Sequence, residues 1–263
     1  MIKIIYQGRL CNNLIQWLFG KILSLQLNTG YISNEQLTKW FPNTKNNIIN
    51  ENLSNIIELR GHKIDIENIL PNQHIILNGF YQRYEYYKNY KNEIKEWLKC
   101  NIEPKYKIEK NDIVLHIRRG DSVMNNDLNY YSIKGHCACP LSYWENILDN
   151  EIYNKVWIIT ESPNDKLVSI LKNKYDAKVI SDSPIEDWVL LKSANKIIMS
   201  WGTFSWLSSW LSDAEKIYFP LIGDWHPNSP RSKEINLWTD EERYIYYDMK
   251  TRKYLTYKSL INY

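Results

Sequence analysis

The residues with the clearest chemistry stand in one short stretch, where His116, Arg118, Arg119 and Asp121 follow one another with one intervening residue or none. A planar guanidinium forms two parallel hydrogen bonds with phosphate oxygens, so two adjacent arginines are suited to clamp a diphosphate. A surface ion pair of Arg118 or Arg119 with Asp121 is the ordinary alternative. Because side chains alternate along a strand, His116 and Arg118 are predicted to point one way and Arg119 the other.

The element that must position these residues is the apolar run at 113–117, which is rich in β-branched residues. Such a run is typical of a strand covered on both faces. In an open α/β sheet, ligands bind beyond the carboxyl ends of the strands. The sequence therefore predicts a binding site at the end of this strand.

Two further predicted strands, 156–160 and 196–199, also run into polar turns. Glu161 follows the first and is a candidate for binding a guanine edge or a ribose, with a solvated turn as the alternative. Thr203 and Ser205 follow the second at a predicted helix start. Free backbone N–H groups at a helix start suit a phosphate, and ordinary helix capping is the alternative.

The amino-terminal half opens with a predicted strand at 2–6, a turn containing Gly8, and a helix over 10–27 that ends near Asn28. This is the start of a Rossmann-like unit, and its turn is a place where backbone N–H groups could meet an anion. The other predicted elements here are loops and short helices over 33–70, a strand at 74–77 and a helix ending at Leu98. The tyrosines at 81, 84, 86, 87 and 90 are interpreted mainly as core residues, with a sugar-lining role as the alternative.

A charged segment at 101–110 containing Pro104 is predicted to link two domains. Beyond it, strands alternate with helices, which indicates a parallel sheet with right-handed crossovers. The predicted strands are 113–117, 156–160, 178–180, 196–199 and 217–219, the last of which closes the sheet, and the predicted helices are 140–148, 165–174, 185–194 and 206–211. Residues 122–140 are predicted to form a long loop over the site.

Composition and charge limit the classes of partner that the sequence predicts. The chain has 263 residues, a net charge of +3 and a pI of about 8.4, which is too weakly basic to predict nucleic-acid binding. No signal peptide or membrane-spanning run is visible, so we expect a cytoplasmic protein, and peripheral membrane association stays open. The chain has four cysteines, of which Cys137 and Cys139 follow His136 in a spacing that resembles half of a zinc site. A structural zinc site needs four ligands, and the sequence offers no second pair. We therefore expect reduced cysteines and no bound metal.

Several of these segments resemble one known family. Residues 116–121 resemble the His-x-Arg-Arg-x-Asp motif of inverting fucosyltransferases that use GDP-fucose. Residues 8–13 are similar to the Gly-Gly-Leu-Gly-Asn-Gln segment of the α-1,2-fucosyltransferase family, with Arg9 and Cys11 in place of two glycines. Residues 79–82, 186–188 and 203–206 resemble, in order, its Gly-Tyr-x-Gln-Ser, Glu-Asp-Leu and Ser-Thr-Phe-Ser-Trp-Trp motifs. The order and spacing hold over nearly the whole chain.

The resemblance implies an α/β fold of two Rossmann-like domains in a GT-B-like arrangement, divided into residues 1–106 on the acceptor side and residues 107–263 for the donor. It implies transfer of L-fucose from GDP-fucose with inversion to a galactoside-type glycan in α-1,2 linkage, without a metal or other cofactor. The implied catalytic residues are His116, Arg118, Arg119 and Asp121, with Arg118 neutralising the diphosphate and His116 holding its neighbourhood in place. The implied donor-binding residues are Gly8, Asn12, Arg118, Glu161, Asp187, Thr203, Phe204 and Ser205.

Three points stay open on the sequence alone. His116, Asp121 and Glu161 are unranked candidates for the base that takes the acceptor proton. Where relatives carry an acidic pair, this chain has Glu161 and Ser162, and the 122–140 loop is divergent; a transferase of the same fold with another donor or acceptor is therefore an alternative. A sugar- or nucleotide-binding protein without turnover is another, against which the intact residues 116–121 argue.

Overall fold

The computed structural model describes residues 1–32, 34–45, 55–70 and 73–263. The chain divides into two compact units. The first comprises residues 1–102 together with 234–237, and the second comprises residues 103–233 and 238–263. The predicted division at 106/107 assigned residues 234–237 to the second domain. In the structure Asn236 instead pairs with residues 82–84 of the first unit, because its N–H donates to the Gln82 carbonyl and its carbonyl accepts from the Tyr84 N–H.

The first unit is built on a parallel four-stranded sheet of order β2-β1-β4-β3. Its elements are β1 (Ile2–Ile4), α1 (Leu10–Leu27), β2 (Tyr31–Ile32), α2 (Glu35–Trp40), β3 (Asn55–Gly61), β4 (Gln73–Gly79) and α3 (Lys91–Trp97). The prediction of α1 is confirmed at both ends, and Asn28 ends the helix in the left-handed conformation.

Helix α1 lies close to the sheet because residue 20 is glycine. A Cβ atom built there would lie 2.8 Å from Ile4 Cδ1 and 3.3 Å from Leu77 Cδ1. Real Cβ atoms do not approach other atoms so closely, so a larger residue would push the helix away from β1 and β4. Gly20 therefore sets the spacing between α1 and these strands.

Two predictions for the first unit are incomplete. Residues 33–70 were predicted as loops and short helices, and α2 and a 3₁₀ turn at Ile66–Asn68 agree with this. The strand β3 also lies in this segment and was not predicted. Residues 33 and 46–54 are outside the described residues. β3 is an edge strand with no fully buried residue, so its apolar signal is weak. The helix predicted to end at Leu98 begins only at Lys91, after two 3₁₀ turns.

The interpretation of the tyrosines as core residues is confirmed for Tyr81, Tyr84 and Tyr87, which are buried. Tyr81 has a φ of 51°, an uncommon conformation for a bulky residue. Its ring stacks on Phe19 at a centroid distance of 4.2 Å, and its hydroxyl donates to the Leu59 carbonyl at 2.9 Å. Burial and these contacts hold Tyr81 in place at the turn after β4.

The second unit contains a seven-stranded sheet of order β11-β10-β9-β8-β5-β6-β7. Its strands are β5 (Ile113–Ile117), β6 (Val156–Thr160), β7 (Lys178–Ile180), β8 (Lys196–Ile198), β9 (Lys216–Leu221), β10 (Tyr244–Asp248) and β11 (Lys253–Leu255). Its helices are α4 (Leu141–Leu148), α5 (Lys166–Tyr175), α6 (Pro184–Lys192), α7 (Thr203–Leu211) and α8 (Tyr257–Leu260).

Read from β7 to β10, this strand order is that of the doubly wound Rossmann fold, with β5 as its first strand. Ile113, Leu115 and Ile117 pack into one core with residues of α4 and α5. His116 points to the opposite face, where its ring contacts Phe204 of α7. Helices therefore cover both faces of the sheet around β5, as the buried run predicted.

The strands and helices predicted between residues 113 and 211 are confirmed, but the prediction that residues 217–219 close the sheet is wrong. β10 adds to β9 in parallel, and β11 pairs with β10 in antiparallel fashion. The connection from β9 to β10 carries a short 3₁₀ turn at Gly223–Trp225 and no α-helix. The strand–helix alternation that reveals the earlier strands is therefore missing there.

Candidate active site

The candidate site lies at the boundary between β5 and β8. From β5 the chain proceeds to β6 and β7 on one side, and from β8 it proceeds to β9 and β10 on the other. The crevice outside the carboxyl ends of the strands at this reversal is where open α/β sheets bind ligands. His116 of β5 and Ser200, which follows β8, bridge the two strands because His116 Nδ1 and Ser200 Oγ share a hydrogen bond of 2.9 Å.

His116 is held as a neutral ring. It is 6% exposed, and it stacks on Phe204 at a centroid distance of 4.8 Å. Burial, and secondly the positive charge of Arg118, lowers the pKa of His116 to about 3. The imidazole is therefore uncharged at neutral pH, which suits a hydrogen-bonding and positioning role better than proton uptake.

The start of α7 supplies the other wall of this crevice. Gly202 has a φ of 126°, which glycine adopts readily, and it turns the chain into the helix. Ser205 is fully buried, and its Oγ accepts the Ser200 N–H at 3.1 Å. This bond ties the turn to the helix, so the Ser205 hydroxyl is engaged inside the protein. Thr203 and Phe204 are half-buried at the helix start, with no acidic residue in its first turn.

The two arginines take different partners rather than standing as one pair. Arg118 forms an ion pair with Asp121. The alternative predicted for this turn, an ion pair of an arginine with Asp121, is therefore present for Arg118. The Arg119 side chain is only 7% exposed, and its Nε lies 3.1 Å from Asp165 Oδ1. The strand β5 ends at Ile117, and the backbone of Arg119, with φ −117° and ψ −94°, is no longer extended.

The turn after β6 fixes the turn after β5 from two directions. Glu161 Oε1 accepts the Arg119 backbone N–H at 2.8 Å, while Asp165 both pairs with the Arg119 side chain and caps α5 by accepting the Leu167 N–H at 2.8 Å. Glu161 thus has a structural partner in addition to the donor-binding role predicted for it. Asp165 was not among the predicted site residues. An aspartate at a helix start is explained by capping alone, so the local sequence gives no sign of its contact with Arg119.

Asp187 lies away from this boundary, at the start of α6 after β7, and β6 separates β7 from β5 in the sheet. Its side chain is mostly buried, and Oδ1 accepts the Asp182 N–H at 3.2 Å. Burial raises the pKa of Asp187 to about 6. The structure therefore does not place Asp187 beside His116, and the donor-binding role implied for it stays a prediction.

Gly8 and Asn12 belong to the first unit. Gly8 has a φ of 78°, and a Cβ atom there would lie 2.4 Å from Asn12 Nδ2. Asn12 Oδ1 accepts from Gln82 Nε2 at 3.1 Å, and the Asn13 amide donates to the carbonyls of Gln7, Gly8 and Arg9. Side-chain amides thus organise the turn before α1.

The predicted long loop at 122–140 is tied to the turn after β9. The Gly223 N–H donates to the Ser132 carbonyl at 2.7 Å, and the Asp224 N–H donates to the Gly135 carbonyl at 3.1 Å. The Asp224 carboxylate, only 2% exposed, accepts the Gly135 N–H at 2.9 Å. The loop then carries His136 onto the Trp201 ring at 4.4 Å. Sequence reasoning missed Asp224, whose only local signal was a glycine–aspartate turn.

The cysteines of the loop are buried rather than arranged around an ion. Burial raises the pKa of the Cys137 and Cys139 thiols, and Cys137 Sγ accepts the Ser132 N–H at 3.2 Å. In the part of the chain that the structure describes, no three His, Cys, Asp or Glu side chains gather in a way that could hold a metal ion.

A doubly wound sheet with charged and polar residues at its β5–β8 boundary is typical of α/β proteins that bind nucleotides. The chain belongs to glycosyl transferase family 11, whose sequence model matches residues 33–245. This confirms the family inferred from the sequence motifs, and it makes the protein a glycosyltransferase of the fucosyltransferase type. No curated protein matches the chain. None of the helices among the described residues has the length and apolar character needed to cross a membrane.

Proposed function

We propose that the protein transfers L-fucose from GDP-fucose to a hydroxyl of a galactoside-type glycan, with inversion and in α-1,2 linkage. Family membership supports the fucosyltransferase class. Binding of the donor is supported mainly by the β5–β8 boundary. There the ends of two neighbouring strands bring together Arg118, the start of α7 and the hydrogen bond between His116 and Ser200. A diphosphate placed there would meet a guanidinium and helix N–H groups.

The proposed chemistry is electrostatic. As the fucose–phosphate bond breaks, negative charge grows on the β-phosphate and positive charge grows on the sugar ring. Arg118 would stabilise the developing phosphate charge, and fixed donors of this kind are usually the largest catalytic contribution. In this proposal the guanidinium and the α7 N–H groups supply the positive charge, and no bound metal is required.

The other motif residues would position Arg118 and the turn around it. Arg119, tied to Asp165 and Glu161, would anchor the turn, and neutral His116 would hold Ser200 at the start of the α7 turn. The low pKa of His116 argues against it as the base for the acceptor proton, which leaves the carboxylates of Asp121 and Glu161 as the better candidates. We further propose that the second unit binds the donor, that the first binds the acceptor, and that the two form a GT-B arrangement.

The test is nucleotide-sugar turnover by the purified chain. GDP release from GDP-fucose is compared with release from GDP-mannose and a UDP-sugar, with and without simple galactosides. Arg118→Ala is expected to lower the rate about 100- to 1,000-fold, the usual effect of losing such a donor. Lys107→Ala is the charge-matched control, because Lys107 is an exposed cation of the same unit paired with Glu109 at 2.8 Å.

Fucose-selective release that Arg118→Ala abolishes and Lys107→Ala preserves would support the proposal. Near wild-type turnover by Arg118→Ala would refute the role of Arg118. Selective release from a different donor would replace fucose transfer by the same-fold alternative. Tight GDP binding without turnover of any donor, across a broad acceptor panel, would favour a binding protein.

A further inference from the structure

A row of polar side chains crosses the carboxyl end of the first unit's sheet. Gln7, which follows β1, donates from Nε2 to Asn78 Oδ1 of β4 at 2.6 Å. Asn78 Nδ2 donates to Glu58 Oε1 of β3 at 2.6 Å, and Arg60 Nη2 donates to Glu58 Oε2 at 2.8 Å. These four side chains form the polar row. It joins the neighbouring strands β1, β4 and β3 at the end of the sheet where ligands bind in open α/β folds.

The polar row lies on the face of the sheet that points away from α1. Helix α1 packs against Leu77, and side chains alternate along a strand, so the next residue, Asn78, points to the opposite face. The parallel register places Arg60 beside Asn78, and Glu58, two residues before Arg60, lies on the same face. The side chains of Glu58 and Arg60 are 33% and 72% exposed, and Gln7 and Asn78 are half-buried. The carboxylate end of the row is therefore open to a ligand, with the two amides beside it partly open.

A buried glutamine fixes the first member of the row. Gln16 of α1 is fully buried, and its side-chain amide bonds both backbone groups of Gln7: Oε1 accepts the Gln7 N–H at 3.0 Å, and Nε2 donates to the Gln7 carbonyl at 3.3 Å. The Asn13 amide donates to the same carbonyl at 3.1 Å. Burying an amide is costly unless its polar atoms are bonded, and here both are bonded to a single residue. The turn after β1 therefore holds Gln7 in a set position, as a preformed binding site requires.

The chemistry of the polar row favours a neutral ligand that is rich in hydroxyl groups. A primary amide offers two donors and about two lone pairs, and a carboxylate offers about four lone pairs, so the bonds within the row use only part of this capacity. Hydrogen bonds from Arg60 and Asn78 lower the pKa of Glu58, which is therefore ionised at neutral pH. A phosphate would meet this negative charge, whereas a sugar hydroxyl can donate to Glu58 and accept from an amide. Ile5, directly after β1 and 40% exposed, adds apolar surface for the C–H groups of a sugar.

We infer that the polar row binds one sugar unit of the acceptor glycan. Glu58 accepts hydrogen bonds from its hydroxyl groups, and the amides of Gln7 and Asn78 are further partners. The inference rests on the proposed function and deepens it on the acceptor side. Gln7, Glu58 and Asn78 lie outside the segments that resemble the family motifs, so the resemblance gave them no role.

The test is direct binding of methyl β-galactoside and lactose to the whole chain with GDP present, followed by ligand-observed NMR. Glu58→Ala should weaken galactoside binding about 10- to 100-fold, the effect of losing hydrogen bonds to a charged group, and leave the Kd for GDP-fucose unchanged. Gln7→Ala removes a neutral partner and should weaken galactoside binding about 3- to 10-fold. Asp65→Ala is the matched control, because the exposed Asp65 carboxylate of the same unit also accepts from an asparagine amide, that of Asn68, at 2.6 Å. It should leave both affinities unchanged.

Weaker galactoside binding by Glu58→Ala but not by Asp65→Ala, with the Kd for GDP-fucose kept, would support the inference. Equal weakening in the two variants would overturn it, because any surface carboxylate would then have the same effect. Unchanged binding by Glu58→Ala, or no binding of either galactoside by the wild type, would overturn it too. Weaker binding of GDP-fucose by Glu58→Ala would assign the row to the donor and so contradict the inference. Failure of the proposed function is separately visible, because the wild type would then bind a galactoside through Glu58 and turn over no nucleotide sugar.

Discussion

Replacement of Asp224 by alanine is expected to release the 122–140 loop from the turn after β9. The Asp224 carboxylate accepts the Gly135 N–H at 2.9 Å and the Ser229 hydroxyl at 3.2 Å, and it lies 3.3 Å from Arg231 Nη1. Alanine would leave the buried Ser229 hydroxyl and the half-buried Gly135 N–H without their acceptor. The loop segment that carries His136 onto Trp201 would lose its side-chain anchor, while two backbone hydrogen bonds to the turn would remain.

The magnitude follows from burial. An orphaned buried donor costs about 1–3 kcal/mol, and the Ser229 hydroxyl can rotate to recover part of its loss. Arg231 is half-exposed, so its lost ion pair adds no more than ~1 kcal/mol. We therefore expect Asp224→Ala to lower the free energy of unfolding by about 2–4 kcal/mol, a large share of a typical 5–15 kcal/mol. Asp224→Asn keeps an acceptor oxygen for Gly135, so we expect it to lose about half as much.

The assay is urea denaturation of the whole chain, with donor KM measured in parallel. Asp149→Ala is the matched control, because Asp149 also accepts from a hydroxyl (Tyr175, 2.6 Å) and pairs with a cation (Lys174, 3.3 Å), but its side chain is half-exposed. The control should lose less than ~1 kcal/mol. A raised donor KM for Asp224→Ala would show that the held loop contributes to the site. Equal losses for Asp224→Ala and Asp149→Ala would refute the argument from burial.

Two further predictions concern His116 and Gly20. The pKa of His116 is about 3 in the folded protein and about 6.5 in the unfolded chain. Between pH 6.5 and pH 3 only the unfolded chain therefore binds this proton. The free energy of unfolding falls as the pH falls through this range, by up to about 1.4 kcal/mol per pH unit. Denaturation at several pH values should show a shallower slope over that window in His116→Asn, and an unchanged slope would contradict the buried neutral ring. Gly20→Ala should lower the free energy of unfolding by about 1–3 kcal/mol, because its Cβ would crowd Ile4, although alanine favours a helix by ~1 kcal/mol. A stabilised Gly20→Ala in the same denaturation assay would show that α1 can move off β1 at little cost.

The elements that could be predicted from the sequence are those whose local signals agree with their burial. β5 is buried along its whole length, and its apolar run identified it. Helix α6 begins with Pro184, and Ser183 and Glu186 form a capping box there, so its start was also near the predicted position. β3 was missed because none of its residues is fully buried, and β10 was missed because no helix precedes it to complete a strand–helix unit.

The choice of partner for each site residue could not be predicted, since partners distant in sequence become neighbours only in the folded sheet. Ser200 is 84 residues from His116, yet the order of β8 beside β5 places the two within hydrogen-bond distance. Likewise Asp165 reads locally as the N-cap of α5, and only the neighbouring position of β6 brings it to Arg119. The motif predicted which residues belong to the site, and sheet topology determines which pairs they form.

Under the proposed function, the different partners of the two arginines imply different roles toward the donor diphosphate. The Arg118–Asp121 pair is partly open, with side-chain exposures of 21% and 55%, so little stability is lost when it separates. The Arg119–Asp165 pair is more enclosed, at 7% and 21%, and breaking it would leave a charge poorly solvated. A phosphate can therefore replace Asp121 on Arg118 at low cost, while Arg119 keeps Asp165. Under the proposed function, Arg118 would bind the donor, and Arg119 would hold the turn that carries Arg118.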